Sequence, residues 1–415
     1  MGHAMSFEQA PPPSAPLRFF LTAPLFIVLA ALVVMVDGQQ VFLSRWMPAS
    51  LALTHLFTAG FMLQVMLGAL FQLMPVAVGA NLWRPAVLAG VVHGATASGA
   101  LLLSGGFLFG QAAALLMGGA VLALGLAVFI TSAMVALWRT PARGPTVVAL
   151  RWAVAWLGLT VALGVTMALA RAGWADLIFL RGSSMHVAAG LAGWGGMLVA
   201  GTAYLVVPMF QLTPAYPAWF SSRFVWMLAV AIGAGGLVND PLGWVPLLVM
   251  VAGFGAMTLD RQRRRRRARG DVTLRLWQLA MGCVIAASLM GMAALAGLMP
   301  VSGALLAGVL VIWGGFVSLI AGMLYKIVPF ILWLYLQPRL SSVPPMTRML
   351  SEPLIRWHRR AHVATLAAMI MAVFAPSVSV LAGGLMLVAG VLLGAQLAGV
   401  TRRARVALKT AAQPS

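Results

Sequence analysis

Apolar runs of about twenty residues or more follow one another along the whole chain, broken by short polar stretches. They cover roughly 18–37, 50–78, 85–104, 110–137, 148–171, 184–209, 222–239, 241–259, 274–298, 301–335, 361–378 and 379–400. About twenty apolar residues in a helix cross the hydrocarbon core of a bilayer. Lipid offers no partners to backbone amides, so such runs predict helices and not open sheets. The expected fold is all-α and polytopic, with about twelve transmembrane helices. The longest polar breaks, about 260–273 and 336–360, are basic, and only the second holds prolines (Pro338, Pro344, Pro345, Pro353). They read as connectors and leave no room for a soluble domain.

Three of the runs end on one phrase. Gly68-Ala69-Leu70-Phe71 leads to Pro75, Gly201-Thr202-Ala203-Tyr204 to Pro208, and Gly322-Met323-Leu324-Tyr325 to Pro329. The phrase falls on spans 2, 6 and 10, and the prolines lie 133 and 121 residues apart. That interval predicts three pseudo-symmetric four-helix units in one orientation, about 18–137, 148–259 and 274–400. Residues 1–17 and 401–415 form tails on a single transmembrane domain, 18–400. Inverted-repeat transporters instead pair halves of opposite orientation. The competing reading is chance, because small residues at helix interfaces are common and need no functional reason.

Composition agrees with a membrane chain: 62% of residues are hydrophobic and 8% charged, against roughly a quarter charged in a soluble domain. The net charge of +20 raises nucleic acid as a partner, but the placement of the charge argues against it. Only Arg45, Arg171 and Arg181 fall on one side of the predicted membrane, and Lys326 lies within span 10. The other basic residues, among them Arg139, Arg143, Arg151, Arg263 to Arg267, Arg356, Arg359, Arg360, Arg402, Arg403 and Arg405, share the side of both termini. The positive-inside rule makes that side cytoplasmic, as in a bacterial-type inner membrane protein. The arginine run before span 9 is expected to lie on anionic headgroups of the lipid bilayer. The lone Cys283 is expected to be a small buried side chain. No signal peptide is read at the start, and Met1–Ala4, with His3, reads as an expression scar before a start at Met5.

The candidate chemistry rests on histidine. His55 lies near the outer end of span 2 and His186 at the outer start of span 6, at similar depth. From His55 to Pro75 is roughly 30 Å of helix. Ionisable groups at membrane depth are costly and seldom idle, and a neutral imidazole offers one ring nitrogen to a metal while the other donates a hydrogen bond. Two on facing helices suit one haem iron, with Gly60, Gly68, Gly190, Gly193, Gly195, Gly196 and Gly201 leaving room for a flat ring and Trp194 and Phe61 walling it. Local hydrogen bonding of each histidine is the plainer alternative. His93 on span 3 is a third candidate, as ligand or proton carrier. His358 and His362 sit among Arg356, Arg359 and Arg360 and are expected at the interface; their i, i+4 spacing would suit a transition-metal clamp, but the cationic setting disfavours it. Asp37, at the outer end of span 1, is a partner for a histidine or a haem edge. Lys326 is expected to snorkel toward the membrane surface. Met62, Met66 and Met197 are possible soft ligands.

With these residues in place, the chain resembles the catalytic subunit of haem–copper oxidases and nitric oxide reductases, and more distantly the NnrS family. The phrases that carry the resemblance are His55-Leu-Phe-Thr-Ala-Gly-Phe running to Pro75 and His186-Val-Ala-Ala-Gly-Leu-Ala-Gly-Trp running to Pro208. The resemblance implies the three-unit architecture, a low-spin haem ligand at His55, and an electron-donating or respiratory protein partner. It also implies a paired histidine on span 7 and haem ligands on span 10, and neither span has a histidine. The full oxygen- or nitric-oxide-reducing centre therefore cannot be built from matched positions. The expectation is a haem-binding protein with haem b at His55 and His186, copper being the less favoured cofactor. Its role would be electron transfer or binding of nitric oxide or oxygen, and whether it is an oxidoreductase stays open. A transporter for a metal ion or small solute and a non-catalytic assembly subunit are the alternatives.

Overall fold

A computed structural model describes residues 7–411, apart from 174–178, 239, 267–269, 301 and 341. His3 and the Met1–Ala4 segment, Asp176 and Arg267 lie outside the described residues, as does the side chain of Arg181. Twelve long helices and no strand are found among the described residues, giving an all-α polytopic membrane fold.

In chain order these are α1 (Ser14–Val41), α2 (Pro48–Val78), α3 (Pro85–Leu108), α4 (Ala112–Arg139), α5 (Pro145–Arg171) and α6 (Gly182–Gln211). The rest are α7 (Ala218–Leu237), α8 (Val245–Arg263), α9 (Val272–Leu295), α10 (Ser302–Leu336), α11 (Glu352–Phe374) and α12 (Ser379–Ala411). Eleven stretches are long and apolar enough to cross a membrane. The exception is α11, whose first turns carry Arg356, Arg359 and Arg360.

The packing repeats in threes. The last helix of each unit packs on the first of the next: α4 on α5, α8 on α9, and α12 back on α1. Within each unit the first helix packs on the second and the third on the fourth. The second helices, α2, α6 and α10, form the centre. In their apolar windows 83%, 67% and 56% of residues are buried, and none of the other eight apolar stretches exceeds 50%. Phe57 meets Trp313 edge-on at 5.8 Å across α2 and α10, and Phe210 meets Phe330 at 6.1 Å across α6 and α10.

Each central helix is interrupted by one π-helical stretch: Leu56–Met62, Ala188–Gly196 and Leu310–Val317. The N–H groups of Leu63, Met197 and Ser318 reach back five residues to the carbonyls of Thr58, Ala192 and Trp313. Such bulges are rare and sit preferentially at functional sites. Here they also explain the repeat. Glycine precedes each repeat proline by seven residues (Gly68, Gly201, Gly322) and again by fifteen (Gly60, Gly193, Gly314). All six touch the first helix of their own unit: Gly68 on Phe19 and Phe20, Gly60 on Phe26, Gly201 on Ala149, Gly193 on Trp156, Gly322 on Leu276, and Gly314 on Cys283.

A regular helix turns about 100° per residue, so two glycines eight apart would diverge by roughly 80°. A π turn holds about one residue more, and with it eight residues close on two turns. The partners on the first helix, which is regular, are therefore seven apart: Phe19 and Phe26, Ala149 and Trp156, Leu276 and Cys283. Threonines lock two of these contacts. Thr146 donates to the Gly201 carbonyl at 3.2 Å and Thr273 to the Gly322 carbonyl at 2.9 Å.

Candidate functional site

His55 ends the first segment of α2, directly before its π stretch, and His186 lies two residues before the π stretch of α6. Counted from the repeat prolines, His186 lies two residues further out than His55, so the two positions are near neighbours in the repeat and not identical. Both imidazoles are half-buried and held the same way. Nδ1 of His55 bonds the Leu51 carbonyl at 2.8 Å, and Nδ1 of His186 bonds the Thr160 carbonyl of α5 at 3.1 Å. A carbonyl only accepts, so each Nδ1 carries the proton and each neutral ring keeps its lone pair on Nε2. That is how a metal-ligating histidine is commonly oriented.

The surroundings are specific. Phe107 of α3 stacks on His55 at 4.9 Å with 23° between the planes, and the Arg171 guanidinium stands 5.8 Å from the centre of the Phe107 ring. Gly164 of α5 faces His186, where an added Cβ would meet Cε1 at 3.1 Å. Sequence reasoning placed Arg171 only as an outer charge; its position beside a phenyl ring that covers a histidine was not visible in spacing.

Most of the glycines expected to leave a slot are occupied. Gly60 is filled by Phe26, Gly68 by Phe19 and Phe20, Gly193 by Trp156, and Gly201 by Ala149. Gly195 faces Phe316 of α10, with a built Cβ at 2.9 Å. Gly190 is tight against Thr160 at 3.2 Å, and only Gly196 has ordinary clearance. These residues join helices. Trp194 and Phe61 are both buried in the packing, as are Met62, Met66 and Met197.

The other candidates separate. His93 bonds Thr22 Oγ1 of α1 at 2.7 Å through Nε2 and meets the Phe19 ring edge-on at 5.1 Å. Nearby, Gln64 donates to Thr96 at 2.9 Å, so His93 belongs to a polar seam between α1, α2 and α3. Asp37 is half-buried at a kink near the end of α1, and no hydrogen bond or ion pair of its side chain is found among the described residues. Lys326 does reach toward the bundle end, but to a partner: its Nζ lies 2.7 Å from Asp271, which also caps α9 by accepting from the Leu274 N–H at 2.9 Å.

His358 and His362 depart furthest from expectation. They are 2% and 1% exposed, buried against α10 and not turned outward with Arg356 and Arg360 of their own helix. Arg356 and Arg360 sit two residues from them, about 200° around the helix, and are exposed. No family model and no characterised protein matches this sequence.

Proposed function

We propose that this chain is an integral membrane protein of the haem–copper oxidase type that binds one redox centre through His55 and His186, without the complete histidine set of a reducing enzyme. The observation that carries the reading is the shared anchoring of the two imidazoles. Each gives Nδ1 to a backbone carbonyl and keeps Nε2 for a ligand. The donor set suits the iron of a b-type haem, which when bound would supply a one-electron couple or a site for nitric oxide or oxygen. His55 and His186 would hold the iron, Phe107 would fix the plane of His55, and Arg171 would offer a cation to an acidic edge of the ring. The arginines at the end of the bundle where α1 begins and α12 finishes support a cytoplasmic assignment for that end. An electron-donating protein would then dock on the bundle from outside the membrane.

The occupied glycines favour a second reading, in which a copper ion takes the same two nitrogens and needs no slot. A visible spectrum and metal analysis of the purified protein distinguish the two. Haem ligation gives an intense visible absorption band that His55→Ala and His186→Ala each abolish; copper gives one metal per chain without that band. A colourless protein that takes up neither haem nor copper refutes both.

A further inference from the structure

The third unit has no histidine on its central helix; Ala307 and Val309 stand at the levels of His186 and His55. Its imidazoles come instead from α11, and they meet the π stretch of α10. The Trp313 indole stacks on the His362 ring at 4.8 Å and 18°, and its Nε1–H donates to the His362 carbonyl at 3.1 Å. Ser318, at the exit of the π stretch, lies 2.7 Å from His362 Nε2 and 3.1 Å from the Trp313 carbonyl. The serine has one proton and the carbonyl can only accept, so the serine donates to Trp313 and accepts from His362. Nε2 then carries the imidazole proton, and Nδ1 holds a bare lone pair. That Nδ1 is buried and has no partner, and the same is true of Nδ1 of His358 and of the Tyr325 hydroxyl. Three orphaned polar atoms in one buried cluster call for a ligand, because an unmet buried polar group is costly.

The spacing suits an ion. Two histidines at i and i+4 share a helix face, and their ring centres are 5.7 Å apart at 34°. Imidazoles bound to one metal at about 2.0–2.1 Å reach that separation with a bent nitrogen–metal–nitrogen angle of roughly 125°. A bent pair leaves a third position open, and the Tyr325 ring stands edge-on 5.7 Å from His358. No carboxylate or thiol completes a group of three metal-ligating residues here among the described residues. A divalent ion would therefore keep its full charge in a low-dielectric core, at high desolvation cost. A monovalent ion that accepts two or three neutral donors avoids most of that cost. We infer that His358 and His362, with Tyr325 as third donor, form a buried Cu+ site between α10 and α11, with Ser318 fixing the tautomer of His362.

The site is separate from that of His55 and His186. Along α10, Ser318 stands nine residues beyond Val309, the counterpart of His55, and Tyr325 sixteen, about 14 Å and 24 Å of helix. The test uses the full-length protein in detergent under reducing, oxygen-free conditions, with Cu+ titrated against the indicator bicinchoninate. In a His55→Ala/His186→Ala background, which removes the first site whatever it binds, one Cu+ per chain is expected to remain. Adding His358→Gln and His362→Gln should remove it. Ser318→Ala and Tyr325→Phe leave the ligand rings in place and guard against misfolding of the double variant. Ser318→Ala should weaken binding roughly 10–100-fold, as loss of an outer hydrogen bond to a ligand does. The inference is overturned if the background protein yields all its copper to the indicator, if the folded glutamine variant still holds one equivalent, or if Ser318→Ala binds Cu+ unchanged.

Discussion

Exchanging one methyl group between two helices probes the logic of the central helices directly. A Cβ built on Gly201 of α6 would lie 2.6 Å from Ala149 Cβ of α5, and the next atoms are 3.6 Å and 3.8 Å away. The contact is thus a single pair of carbons, about 1 Å closer than dispersion contacts allow. Gly201→Ala forces the helices apart or distorts them, which costs about 1–3 kcal/mol, offset by up to about 1 kcal/mol of better helix propensity. Ala149→Gly alone loses about 1 kcal/mol of propensity and up to about 0.8 kcal/mol of buried methyl. In the double variant the methyl has only changed sides, so the propensity changes cancel and stability returns near that of the parent. The expected coupling is about 2 kcal/mol, well above the 0.3–0.5 kcal/mol within which independent substitutions add. Unfolding in mixed detergent–SDS micelles, followed by circular dichroism, gives the four stabilities. Gly322→Ala is the graded comparison: its built Cβ stands 3.2 Å from Leu276 Cβ and 3.3 Å from the Thr273 carbonyl, a milder overlap than at Gly201, so the change should cost less than Gly201→Ala. A double variant as unstable as the summed singles would refute the packing argument.

Thr273→Val should cost about 0.5–1.5 kcal/mol by removing the buried bond to the Gly322 carbonyl, and Thr146→Val less, because its bond is longer and half-buried; the same unfolding assay ranks them. Asp271→Ala should destabilise more than Lys326→Met, since it loses the α9 cap, typically about 1 kcal/mol, as well as a partly exposed ion pair worth no more than about 1 kcal/mol; equal losses would mean that the cap contributes nothing. Burial holds the hydroxyl of Tyr216, in the loop between α6 and α7, above the usual tyrosine range. An unfolded tyrosine loses its proton near pH 10, so this group's stabilisation is complete below about pH 10 and is lost as pH rises further. Tyr216→Phe should therefore be less stable at neutral pH, through loss of the 2.9 Å bond to Thr258, yet fall less steeply in alkaline buffer.

The helices were legible because each apolar run is long and the polar breaks are sharp. The Gly–aromatic–Pro phrase was legible too, but only half of it. Gly60, Gly193 and Gly314 repeat at an identical offset from the prolines, yet they stand eight residues from the second glycine, and eight is not a helical spacing. Only the π stretch turns that interval into one face, and nothing in a 3.6-residue pattern announces a π stretch. The same limit misassigned the glycines as a slot: sequence shows that a side chain is missing, not that Phe26 or Trp156 fills the space. The α11 histidines were obscured by averaging over neighbours. Three arginines within five residues give a cationic segment, but a helix sends residues two apart to opposite faces, and both histidines turn inward.

The threefold frame also explains where unit 3 keeps its chemistry. Eleven residues before each repeat proline stand Gln64, Met197 and Ser318. Gln64 reaches the third helix of its unit through Thr96 at 2.9 Å, and Ser318 reaches the third helix of its unit through His362 at 2.7 Å. Met197, in unit 2, has no polar group to send. One frame position thus links the central helix to the third helix in two units, and in one of them the partner is an imidazole. Units 1 and 2 carry their histidines at the far end of the central helix, whereas unit 3 carries a pair on α11, nearer the end that holds the arginines. A bundle built from three copies of one packing scheme can vary these positions without disturbing the glycine contacts, because the glycines face the first helix and the polar position faces the third. Selective loss of metal on Ser318→Ala, with unfolding unchanged to within about 1 kcal/mol as expected for a single hydrogen bond, would show that the packing face and the chemical face of α10 are independent.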